Sequence, residues 1–294
     1  MTRLSLRHRI ENVLAQGVLR GAMLVPYPAR VRGVGWMVTH LLAPVNGWRR
    51  RIRENLATAL PDLPAAEVER IVRRVPDNVG RALIEIYSGP EFLARAAAAE
   101  LTGPGAEALR GARAAGRPVV LVTAHLGNYD AVRGTLAGRG YPMAALYKPM
   151  RNPAFNDHYV RAVEAIAGPV FPTDARGIAG LVRHLRDGGI IGIVGDVAAT
   201  SGPLLRFFGQ PAHTALSAAE WALKYDAAMI PVFGLRQPDG LSFRLFAAAP
   251  VSRGTAEEMM QSYNDTVEAV ARDHLDQWFW LHRRWKQSRS ALAG

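Results

Sequence analysis

Pro118-Val119-Val120-Leu121-Val122-Thr123-Ala124-His125-Leu126-Gly127-Asn128-Tyr129-Asp130 is the stretch that decides the fold. An unbroken apolar run with no polar alternation describes a strand buried on both faces, as in a parallel sheet covered by helices. From Asn128 onward the chain reads as the first turns of a helix. His125 therefore falls at the carboxyl end of a strand, the edge where open α/β sheets place their ligands. Four residues separate it from Asp130, so a carboxylate one turn on can fold back onto the imidazole. Such a pair is a general base: the acid fixes the tautomer and the free nitrogen takes a proton from a hydroxyl. The same spacing also fits a histidine satisfied within a core. The chain has no cysteine, and no serine or threonine nearby forms a nucleophile elbow, so the base would serve a substrate hydroxyl.

Working outward, strands are expected over 118–123, 144–147, 169–171, 190–195, 228–233 and 241–247, with a short strand or turn at 204–208. Helices are expected over 61–88, 129–138, 156–167, 176–187, 214–224 and 257–275. This alternation predicts an α/β fold with a mainly parallel central sheet flanked by helices. No repeat or low-complexity linker divides the later part, so residues 56–294 read as one catalytic domain.

Residues 1–55 read differently. They hold ten arginines against two glutamates, and residues 277–294 hold four basic groups and no acid, while the stretch between is nearly neutral. Trp36, Trp48, Trp278, Trp280 and Trp285 stand among these cations, a mixture that suits a lipid headgroup zone. Charges and prolines break up every apolar stretch before it reaches the roughly 18 residues of a membrane span. Residues 1–55 are therefore expected to form amphipathic helices associating with an anionic membrane surface. No nucleic-acid motif is present, and the eight histidines form no ligand pair at metal-site spacing, so neither nucleic acid nor a metal is expected.

Six motifs then line up. They are Arg51-Ile52-Arg53-Glu54-Asn55-Leu56; His125-Leu126-Gly127-Asn128-Tyr129-Asp130; Tyr147-Lys148-Pro149-Met150-Arg151-Asn152-Pro153; Gly195-Asp196; Phe207-Phe208-Gly209 followed by Thr214; and Trp280-Leu281-His282-Arg283-Arg284-Trp285-Lys286. In order and spacing the chain resembles the bacterial lipid A late acyltransferases and their phosphatidylinositol mannoside acyltransferase relatives, within the lysophospholipid acyltransferase superfamily. The resemblance implies transfer of a fatty acyl group from acyl carrier protein or coenzyme A to a hydroxyl of a membrane lipid, with no cofactor beyond that co-substrate, at the cytoplasmic face of the bacterial inner membrane. It implies His125 as general base and Asp130 as its orienting carboxylate. Backbone N–H groups near Gly127 and Asn128 are candidates to hold the oxyanion. Asp196, at the end of a second apolar strand, would stand on the same sheet edge. Lys148 and Arg151, with Arg161, would bind an anionic headgroup or phosphopantetheine, Phe207 and Phe208 would line an acyl channel, and His282 would belong to a basic aromatic belt.

Two positions depart from the family's pattern. Lipid A enzymes often carry Glu where Asp130 stands and Arg where Lys148 stands. Both departures favour, as an alternative acceptor to a lipid A precursor, a lysophospholipid or lyso-aminolipid. A hydrolase releasing free fatty acid and a lipid-binding protein without catalysis are the readings outside acyl transfer.

Overall fold

The computed structural model describes residues 6–141, 143–150, 152–199 and 202–285. Among the described residues are nine strands, most of them separated by helices: β1 (Glu100–Thr102), β2 (Val119–Thr123), β3 (Met143–Tyr147), β4 (Val170–Pro172), β5 (Ile190–Val194), β6 (Leu204–Phe207), β7 (Gln210–His213), β8 (Ala228–Arg236) and β9 (Phe243–Ala247). Seven of them form one sheet in the order β1-β9-β8-β2-β5-β3-β4. β8, β2, β5, β3 and β4 run parallel, whereas β9 returns antiparallel to β8 with β1 beside it. β6 and β7 form a separate antiparallel hairpin.

The apolar run at β2 sits in the middle of the sheet, and its alternate side chains enter two cores. Val120 and Val122 pack on one face with Leu181, Met260 and Val267, and Val119 and Leu121 pack on the other with Leu109, Leu136 and Val163. The helices that cover the sheet after β1 are α7 (Gly105–Ala114), α8 (Tyr129–Gly138), α9 (Pro153–Ile166), α10 (Ala175–Arg186), α11 (Ser217–Lys224) and α12 (Ala256–Asp273).

Before β1 the chain is helical: α1 (Leu6–Met23), α2 (Tyr27–Met37), a π-helical turn at Val38–Leu42, α3 (Ala43–Val45), α4 (Trp48–Ala59), α5 (Ala65–Tyr87) and α6 (Gly89–Ala97). α2 crosses α5 at two glycines. A Cβ on Gly80 would lie 2.8 Å from the Val34 carbonyl oxygen and 2.9 Å from the Gly35 Cα, so only glycine allows this approach. Tyr27, Val31, Ile52 and Leu56 enter the cores of the body. The helices expected over residues 1–55 are therefore present, but polar and apolar residues do not sort into two clean faces along α1 and α2. On α2 the reason is divided duty: Tyr27 and Val31 pack inward, while Trp36 (55% exposed) faces outward; Leu24, in the turn after α1, and Val45 of α3 are exposed as well. Among the described residues no helix is long and apolar enough to cross a membrane.

The proposed tryptophan belt is corrected. Trp278, Trp280 and Trp285 are buried and pack with Phe207 and Phe208 in one aromatic cluster. The arginine among them, Arg284, is buried too; it donates to the Val197 and His213 carbonyls and the Thr214 hydroxyl and lies over the Phe207 ring. Phe207 and Phe208 are consequently core residues on the far face of the sheet from the main cavity.

Candidate active site

β2 and β5 are paired in parallel, with Thr123 opposite Val194. Each strand is followed by one linking residue and then a polar side chain: Ala124-His125 in one, Gly195-Asp196 in the other. Equal overhangs bring His125 and Asp196 side by side. The His125 Nδ1 lies 2.8 Å from Asp196 Oδ1, and the His125 backbone N–H donates to Asp196 Oδ2 at 2.9 Å. Trp278 adds a third bond, its Nε1–H donating to Oδ2 at 2.9 Å. Burial pushes the Asp196 carboxyl up, but the His125 charge and hydrogen bonds outweigh it, and the group falls to about 2. The acid is fully buried and the imidazole 27% exposed, so a fixed anion stands behind a reachable imidazole.

The partner expected for His125 is therefore corrected. Asp130 lies in the first turn of α8 and makes a buried ion pair with Arg133 at 2.6 Å. Arg133 is in turn tied to the Val163 and Ala167 carbonyls. The start of α8 stays beside the imidazole, with the Tyr129 ring edge to face on it at 5.6 Å, but the Asp130 carboxylate is taken by Arg133. Gly127, at φ +64°, donates to the Gln277 carbonyl, and Asn128 donates to the Gly234 carbonyl. These two N–H groups are thus already occupied, which removes them as oxyanion donors. Asn128 is buried and caps α8: its Oδ1 accepts from the N–H groups of Asp130 and Ala131, and its Nδ2 donates to Glu85. It organises the loop rather than facing a ligand.

A cavity of about 690 Å³ opens at this edge. Its polar end holds His125, Lys148, His282 and Arg283, and its interior is lined by Leu121, Val132, Met143, Val163 and Gly192. It runs down the sheet beneath α8 and α9, an apolar slot with a few convergent polar groups, as small-ligand sites are. Of the cations expected to bind an anion, Lys148 lines the cavity, Arg161 is exposed on α9 and does not, and Arg151 lies outside the described residues.

His282, expected in a basic aromatic belt, instead lines the cavity beside His125. The Phe279 N–H donates to the His125 carbonyl, which draws the C-terminal segment over the site and brings the two imidazoles within 4.6 Å, edge to face. Asn55 of α4 holds this segment from below, its Nδ2 donating to the Trp280 and His282 carbonyls. Two motifs more than 200 residues apart thus meet, and no local signal announces it. The His282 Nε2 is buried without a hydrogen-bond partner among the described residues. Burial first, then the charges of His125 and Arg284, bring His282 down to about 4 although Asp196 opposes them, so it is neutral at pH 7.

That shift has a consequence for stability. Between pH 6.5 and about 4 the unfolded chain protonates His282 and the folded chain does not, so stability falls as the pH falls through this window. By pH 5 the loss from this one group reaches about 2 kcal/mol. Urea unfolding at pH 7 and pH 5 will show a smaller difference for His282→Gln than for the unaltered protein. His158 and His274, also lowered by burial, retain part of the slope in both.

The fold is thus a mostly parallel sheet with a carboxylate-bonded histidine at its carboxyl edge, set at the mouth of a largely apolar cavity. Residues 2–287 match the family described as bacterial lipid A biosynthesis acyltransferase, and the chain belongs to that family. It is an acyltransferase, with a lipid acceptor and an acyl donor implied by the family. Among its relatives are a lipid A biosynthesis acyltransferase of Haemophilus influenzae, 24% identical over 93% of this chain and 89% of the relative, and a lipid A biosynthesis lauroyltransferase of Escherichia coli K12, 24% identical over 93% and 90%. A phosphatidylinositol mannoside acyltransferase of Mycobacterium tuberculosis H37Rv is 23% identical over 82% of this chain and 78% of its own.

Proposed function

We propose that the protein moves a fatty acyl group from a thioester of acyl carrier protein or coenzyme A to a hydroxyl of a membrane lipid, with His125 as general base held by Asp196. The observation that carries this is the buried Asp196 bonded to His125 Nδ1 at the mouth of the apolar cavity. With Nδ1–H engaged by the carboxylate, the Nε2 lone pair is left to take the acceptor's proton. The oxygen attacks the thioester carbonyl carbon, and negative charge gathers on the carbonyl oxygen. His282, neutral at pH 7, lines the cavity edge to face with His125 and is the side chain beside the base available to meet that charge. The C–S bond then breaks, and the His125 Nε2 proton passes to the departing thiolate. No covalent acyl-enzyme is required.

The apolar interior, from Leu121 to Met143 and Gly192, suits the acyl chain. Exposed Leu24, Trp36, Leu41 and Val45 in the N-terminal helical segment, beside the arginines of residues 1–55, suit insertion into one leaflet of an anionic membrane. An acceptor of lipid A precursor type is the first reading, in keeping with the family; a lysophospholipid or lyso-aminolipid is the alternative.

The test is an assay of the purified protein with acyl-thioester donors and each acceptor class in turn, products read by mass. Thioester consumption is expected only with an acceptor present, and one acceptor gains one acyl mass. Rapid release of free fatty acid without acceptor would instead assign a hydrolase.

A further inference from the structure

Beside the main cavity lies a second, polar one of about 250 Å³. Arg50, Arg51 and Arg283 line it, with Glu54 the one acid among the lining residues. Arg50 is engaged with Glu54 at 3.7 Å. The guanidiniums of Arg51, half-buried, and Arg283 have no ion-pair or hydrogen-bond partner among the described residues. Three guanidiniums around so small a space repel one another, and a bound anion relieves that repulsion. α4 begins at the same rim. Gly47, its N-cap at φ +66°, lines the cavity, and no side chain caps the helix, so its first-turn N–H groups add positive character there.

Arg283 lines both cavities. Its neighbour His282 stacks edge to face on His125. An anion held at Arg51 and Arg283 therefore belongs to a molecule that also reaches His125, and the planar, doubly donating guanidinium favours a phosphate. We propose that this second cavity is a phosphate subsite for one of the two substrates of the transfer. The inference rests on the acyl-transfer reading for what the phosphate is attached to, but not for whether phosphate binds. Two sources share the chemistry: the phosphate of a lipid acceptor's headgroup and the phosphates of a coenzyme-type donor.

The experiment is a binding titration that does not depend on turnover. Inorganic phosphate, coenzyme A and a short-chain lysophosphatidic acid below its micelle concentration are each titrated, followed by calorimetry and phosphorus NMR. The proteins are the unaltered chain, His125→Ala, Arg283→Gln, and the double variant Arg51→Gln with Arg283→Gln; far-UV circular dichroism and melting confirm that each is folded. The expected result is saturable phosphate binding by the unaltered chain and by His125→Ala, weakened at least tenfold in the double variant and by less in Arg283→Gln. Whichever organic probe loses tenfold with it identifies the source. Absence of saturable binding for all three probes, or equal affinities in the unaltered and Arg-replaced proteins, overturns the proposal. His125→Ala separates the two readings: intact phosphate binding together with undiminished acyl transfer would sink the catalytic reading alone.

Discussion

Asparagine at position 196 is expected to lower turnover by about three to four orders of magnitude while leaving the fold intact, as loss of the orienting acid does in other histidine-based catalysts. Two donors, the His125 backbone N–H and Trp278 Nε1–H, converge on Oδ2, so the surviving amide oxygen stays there. The amide nitrogen then faces His125 Nδ1. Two N–H groups cannot meet, so Nδ1 becomes the acceptor and the proton moves to Nε2, the atom that should take the acceptor's proton. The base is present in the wrong tautomer. His125→Ala should fall as far, and the double variant no further, because the two act as one unit. Asp130→Asn should behave differently. It leaves the His125–Asp196 contact alone but strips the buried Arg133 of its anion, so its main cost is in stability, on the order of 3 kcal/mol. Steady-state kinetics beside urea unfolding separates the two. A sharper loss of turnover in Asp130→Asn than in Asp196→Asn would restore Asp130 as the orienting acid and overturn the assignment made from geometry.

The sheet and its functional edge were legible in the sequence because buried parallel strands are unbroken apolar runs. Residues 190–194 and 118–123 could be read as strands, and helix α8 falls at 129–138 as the N-cap Asn128 suggests. β1, Glu-Leu-Thr with one apolar residue, and β7, Gln-Pro-Ala-His with a proline, carry no apolar run to read. The pairing of His125 with Asp130 was read from proximity along the chain, whereas the carboxylate that meets the imidazole in space is Asp196. The usable signal was the equal offset of His125 and Asp196 from two apolar strands, which becomes decisive only once those strands are known to be neighbours. The tryptophans misled because a Trp–Arg mixture describes a membrane interface and a buried aromatic cluster with a carbonyl-capping arginine equally well. Arg284, bonded to carbonyls and to Thr214, is the second case. His282 and Asn55 stood in two of the quoted motifs, but nothing in either motif told that they meet, since their contact arises where the C-terminal segment crosses α4.

Glu85→Ala is expected to cost about 3–5 kcal/mol of stability, the usual penalty for leaving a buried charge without its partner. Glu85, on α5, is fully buried and meets the Arg236 guanidinium of β8 through two bonds of 2.6 Å. Arg236 is itself buried, so without the carboxylate its charge has no route to water. The pair also governs the site. Asn128 Nδ2 donates to Glu85 Oε2 at 2.7 Å, and the other end of the same amide caps α8, three residues from His125. Removing Glu85 frees that amide and loosens the loop carrying the base. The double variant Glu85→Leu with Arg236→Met tells the two effects apart. Replacing both charges by apolar groups is often close to neutral, so most of the stability should return. The Asn128 anchor does not return with it, so turnover at a temperature where all variants are folded should stay below that of the unaltered protein. Full recovery of turnover in the double variant would mean that Asn128 needs no anchor and that the buried pair acts on stability alone.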